Sequence, residues 1–130
     1  MRLHAPTSVG DVLDRITILA HKSTRVAGSA ERHVREELAA VRAAWGEAGL
    51  GEAPDAPEYA PLDRVNRELW AVEDRLRERE ANGDFGANFV TDARAVYRLN
   101  DQRAALKRTV NLRLGSALVE EKVHPGTPHG

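Results

Sequence analysis

The sequence predicts an all-α protein, an antiparallel helical bundle of about four helices in two hairpins, with a long fourth helix and a disordered C-terminal tail. Two observations carry this. Apolar residues recur at three-and-four spacing in four separate segments, the period that returns to one face of a helix. Between the second and third segments, residues 49–61 hold three prolines (Pro54, Pro57 and Pro61), so no helix runs through them. A chain of 130 residues is long enough to bury one core and too short for two comfortable ones. The expected division is a single domain over 1–122 and a flexible tail over 123–130.

The first helix opens at Ser8, with Asp11 three residues later in a near match to a capping box, and places Val9, Val12, Leu13, Ile16, Leu19 and Ala20 on one face. It is expected to run to about Arg25 or Val26, where Ala27-Gly28-Ser29 breaks it. The second, capped by Ser29, runs through Val34, Leu38, Val41 and Trp45 into the Gly46 to Gly51 region. Its narrow stripe suits an edge position. The third begins near Pro61 and repeats Leu62, Val65, Leu69, Val72 and Leu76, a packing seam that stops around Asn82-Gly83. A second line, Asn66, Trp70, Glu73 and Arg77, runs beside that seam, with Glu73 placed to pair with Arg77. The fourth follows Asp84-Phe85-Gly86 and continues to about Leu114, roughly 25 residues and close to 40 Å, longer than so small a bundle requires. A projecting end or a partner chain is expected. Trp70, Phe85, Phe89 and Tyr97 are expected to pack around the junction of the third and fourth helices.

The fourth helix carries the feature that bears on function. Its stripe reads Phe89, Ala93, Val96, then Asn100, Arg103, Lys107, then Val110 and Leu114. Two turns that should be core are an amide and two cations. Buried charge must be paired and hydrogen-bonded, so either other helices supply carboxylates or the band lines a cavity for an anion. The fourth helix is basic, with six cations (Arg94, Arg98, Arg103, Lys107, Arg108 and Arg113) against Asp92 and Asp101. The third offers counter-charges, and the simplest pairing sets Glu73 or Asp74 against Arg103 or Lys107. A polar line on the first helix (Asp11, Arg15, Ile18 and Lys22, with Asp14 and His21 beside it) could converge on the same place.

Several function classes find no support. There is no cysteine, hence no disulfide framework or thiolate metal site. His33 and Glu37 have helical ligand spacing, but no second cluster completes a metal site. No nucleotide-binding loop, dinucleotide fingerprint or nucleophile elbow occurs, so no cofactor is expected. A formal net charge of -1 and few aromatics argue against nucleic-acid binding. No stretch reaches the roughly 20 apolar residues of a membrane span, and the N-terminus lacks a signal-peptide pattern. A soluble, cytoplasmic protein is expected.

The blocks SVGDVLDRITIL (8–19), VNRELWAVED (65–74), ARAVYRLNDQRAALK (93–107) and GSALVEEK (115–122) resemble a bacterial family of small helical proteins of unknown function, sometimes met near cell-surface polysaccharide genes. The resemblance covers most of the chain except the second helix, the proline loop and the tail, and it implies no reaction. Asp14-Arg15-Ile16 with Leu19 is also similar in style to the helical chorismate mutases, which dimerise and bind a dicarboxylate between helices. That resemblance implies Arg15, Arg103, Lys107 and Glu73 as the corresponding group types, although their spacing along this chain departs from that family's pattern.

Two readings therefore stand. In the first, the chain is an accessory module that forms a homodimer or docks on a protein partner, and the polar band is an interhelical ion-pair lock. In the second, it is a small-molecule anion-binding protein or an enzyme of the non-covalent, chorismate-mutase-like kind, with a pocket between the first, third and fourth helices. Asn100, Arg103, Lys107, Arg77, Arg15, Asp11 and Lys22 would then bind the ligand, and Glu73 would be the candidate catalytic group.

Overall fold

The computed structural model describes residues 1–115. It contains four α-helices, α1 (Val9–Ser23), α2 (Ser29–Glu47), α3 (Tyr59–Ala81) and α4 (Ala87–Arg113), with a 3-10 turn at Ala53–Asp55 before α3. The all-α four-helix architecture is as the sequence predicts. The expected domain boundary near 122 and the tail from 123 lie outside the described residues.

Local chemistry sets the helix ends. Ser8 Oγ accepts the Asp11 N–H at 3.1 Å, which satisfies one orphan donor of α1, and His21 and Lys22 in the last turn complement the dipole. The helix stops at Ser23, two or three residues short of the expected end. The second expected cap is corrected: Ser29 is the first helical residue of α2, and Gly28 holds the N-cap position at φ 68, with no side-chain cap. The connection from Thr24 is so short that it reverses through a left-handed residue, which glycine adopts without a Cβ clash. α3 begins at Tyr59, two residues before the expected Pro61, which sits in the first turn where a missing N–H costs nothing. α4 spans 27 residues, about 40 Å.

α1 occupies the centre. It packs on α2 with one face and lies in the groove between α3 and α4 with the other. Gly10 meets Asn111 and Asp14 meets Arg103, so α1 runs antiparallel to α4; Asp14 meets Asn66 and His21 meets Trp70, so it runs parallel to α3. The α2 face buries Leu13, Ile16 and Leu19 with Val34, Leu38 and Trp45, together with Leu62 and Val110. A second apolar cluster joins α3 and α4 alone, through Val65, Leu69, Val72, Ala95 and Leu99. Leu106 packs against both clusters.

The stripe expected on α4 is offset from its core line. The residues that bury fully are Asp92, Ala95, Leu99, Val110 and Asn111, while Phe89, Ala93, Val96 and Asn100 are half-buried. α4 has two inward lines because it packs on two helices. Ala95, Leu99 and Leu106 face α3, and the line through Arg103 and Lys107 faces α1. Tyr97 and Phe85 are exposed, which corrects their expected packing at the α3–α4 junction.

Candidate functional site

The polar band forms where α1 crosses α4, at the boundary of the two apolar clusters. Asp14 is 3 % exposed. Its carboxylate accepts Arg103 Nη2 at 2.6 Å and Arg103 Nε at 3.0 Å, a bidentate contact, and accepts Asn66 Nδ2 at 2.8 Å. Asn66 Nδ2 also donates to Thr17 Oγ1 at 2.9 Å, and Thr17 Oγ1 donates to the Asp14 carbonyl at 2.7 Å. One buried carboxylate thus gathers three charge-assisted hydrogen bonds from two helices, and the threonine and amide satisfy each other around it. That is the condition under which buried charge holds a structure together rather than opening it.

One turn along, Lys107 Nζ pairs with Asp11 Oδ1 at 2.8 Å. Burial pushes the Asp11 carboxyl up, yet Lys107, a hydrogen bond with Ser8 and the charge of Arg103 outweigh it and hold Asp11 below its ordinary value. Beyond this pair, the Gly10 N–H donates to Asn111 Oδ1 at 2.7 Å, so a glycine and a buried amide close the contact between α1 and α4. Two further ion clusters pin the ends of the hairpin. Glu58, just before α3, accepts Arg113 Nη2 at 2.6 Å, and these hydrogen bonds overcome burial to lower its pKa. At the other end, Arg75 and Arg79 of α3 hold Asp92 of α4, and Arg79 also reaches Asp84. The Arg75 hydrogen bond, with help from Arg79, keeps the Asp92 carboxyl below its ordinary range despite burial.

Of the expected site residues, Arg103, Lys107 and Asp11 come together. Asn100 lies half-buried one turn from Arg103 on the same line. Arg15 points the other way and pairs with Glu37 of α2, the residue that shares helical spacing with His33. Lys22 is exposed near the end of α1. The pairing of Glu73 or Asp74 with Arg103 or Lys107 is corrected: the carboxylates come from α1, as Asp14 and Asp11. Glu73 is exposed one turn past Trp70, beyond the reach of α1, and Arg77 pairs with Asp74 at 3.3 Å rather than with Glu73. Sequence reasoning places Asp14 only as a flanking residue and misses Thr17, Gly10 and Asn111. Their signal is the line Gly10, Asp14, Thr17, His21 at helical spacing, a polar face that becomes visible once α1 is known to bury two sides.

A recess of about 140 Å³ lies away from this band, lined by Trp45, Leu50, Asp55, Pro57, Arg113 and Leu114. His21 closes the line on α1. It is 5 % exposed, lies edge-on to Trp70 with ring centroids 5.3 Å apart, and its Nδ1 has no hydrogen-bond partner among the described residues. Burial lowers its pKa from the usual 6.5, and Arg67 and Arg25 push the same way against Asp63. The unfolded chain therefore binds this proton more readily than the fold does. The contribution of His21 is intact above pH 6.5 and is lost as pH falls below that value. The carboxyls of Asp11, Glu58 and Asp92 shift the same way, downward, but from the carboxylate range, so their stabilisation persists until about pH 4 and is lost below it. A melting curve taken against pH is expected to show two separate declines. The upper one is expected to be absent in His21→Leu.

A family model described as a family of unknown function (DUF6165) matches residues 3–128, nearly the whole chain, and the protein belongs to that family. No curated protein and no solved structure matches it. No helix among the described residues is long and apolar enough to cross a membrane.

Proposed function

From membership of a family whose function is unknown, we propose that this protein is a non-catalytic accessory module that dimerises or docks on a protein partner, and that its polar band is an internal lock. The observation that carries this reading is the bidentate seat of Arg103 on Asp14, completed by Asn66. A cation that serves a ligand must offer donors to it, and here Nε and Nη2 are given to a carboxylate of the same chain. The pair of Lys107 with Asp11 repeats the pattern. The lock fixes the register of α1 in the groove of α3 and α4: sliding α1 by one residue would turn Asp14 out of the groove and strand Arg103 and Asn66.

A thermal-shift screen of mono- and dicarboxylates, sugar phosphates and nucleotide sugars, run on wild type and Arg103→Ala together, tests this. The expected result is that no compound raises the wild-type melting temperature selectively. An anion that raises it for wild type and not for Arg103→Ala would establish a pocket and overturn the reading.

A further inference from the structure

The α3–α4 hairpin outruns α1. Trp70, against His21, marks the level at which α1 is ending, and from there α3 continues to Ala81, about 16 Å further at 1.5 Å per residue. Over that length the α4 line that faces α1 through Lys107 and Arg103 continues at the same period as Asn100, Val96, Ala93 and Phe89. There Val96 packs against the apolar cluster of α3 and α4, while Phe89, Ala93 and Asn100 stay half-buried. Val90 and Tyr97 widen the strip toward the outer face, where Tyr97 is 73 % exposed. Phe85, 59 % exposed, lies edge-on to Phe89 with centroids 5.3 Å apart. Both phenylalanines of the chain and one of its two tyrosines are committed to this surface. Exposed aromatics clustered on a rigid helix are the residue types that anchor protein interfaces.

The strip is self-complementary. Phe89 and Tyr97 stand four residues on either side of Ala93, so an antiparallel second α4 crossing at Ala93 sets Phe89 against Tyr97 of the other copy, twice. Ala93 then meets its own equivalent, a small side chain where the two axes approach most closely.

Resting on the docking reading above, we propose that the occupant of this strip is a second copy of the chain, held in an antiparallel α4 pair about Ala93. The wild-type chain is expected to sediment as a dimer at tens of micromolar. Tyr97→Glu, at an exposed position, is expected to keep the helical spectrum and weaken the dimer by about tenfold or more. Because the chain has no cysteine, Ala93→Cys offers an independent readout. It should form a disulfide-linked dimer under mild oxidation, whereas Arg42→Cys on the exposed side of α2 should not, since the two sulfurs can join only where the backbones nearly touch. A monomeric wild type, a dimer indifferent to Tyr97→Glu, or cross-linking through Arg42→Cys in preference to Ala93→Cys would each overturn the proposal. A monomer that still passes the anion screen removes the second copy alone and leaves the module reading; an anion rescued by Arg103 removes that reading whatever the oligomeric state.

Discussion

Arg103→Ala is expected to destabilise the fold by about 3–5 kcal/mol, the cost typical of removing one partner of a buried ion pair. It leaves the carboxylate of Asp14, 3 % exposed, with the Asn66 amide as its remaining described side-chain donor. The converse change should cost less. In Asp14→Ala the stranded group is Arg103, whose side chain is 31 % exposed and can swing its guanidinium to water. A loss of about 2–3 kcal/mol is expected there, part of it from Asn66 and Thr17 losing their place in the network. Arg103→Lys should recover little, because an ammonium cannot span both carboxylate oxygens as the guanidinium does. Chemical denaturation of the three variants checks the order. A lock requires Arg103→Ala to be the most damaging.

The second large effect is expected at Gly10. By helix propensity alone, Gly10→Ala should stabilise α1 by up to about 1 kcal/mol. Packing opposes it. A Cβ at Gly10 is driven into the carbonyl oxygen of Lys107 and comes within 2.8 Å of Asn111 Oδ1. The Lys107 carbonyl belongs to the backbone of a long helix and cannot step aside, so α1 must lift off α4. That lengthens the Gly10 to Asn111 hydrogen bond and weakens the bond of an amide that is 1 % exposed. The balance is a net loss of about 2 kcal/mol, or roughly 8 °C in melting temperature for a domain of this size. Differential scanning calorimetry reads it directly, and a stabilised Gly10→Ala would mean that α1 and α4 are not in close contact.

The fold was legible because its signals are local. The seam Leu62, Val65, Leu69, Val72 packs as read, and Ser8 caps α1 as read. What escaped is tertiary. Asp14 and Arg103 are 89 positions apart, and no spacing within either helix says that they meet. Charge counting favoured α3 as the source of carboxylates because it is rich in Glu and adjoins α4, but α3 and α4 meet through an apolar seam, and Glu73 falls past the end of α1. The interruption of α4 was legible for a related reason: Arg103 and Lys107 do interrupt an apolar line, the one facing α1. The line facing α3 stayed hidden because its members include a small residue, Ala95, and a charged one, Asp92, whose burial depends on Arg75 and Arg79.

The central claim is that Arg103 acts on Asp14 and not on a ligand. A double-mutant cycle in ligand-free buffer, comparing wild type, Asp14→Ala, Arg103→Ala and the double variant by denaturation, measures that directly. The account predicts a coupling of about 2 kcal/mol or more, with the double variant more stable than Arg103→Ala because no buried carboxylate is left stranded. Additive losses, with coupling near zero, would contradict it.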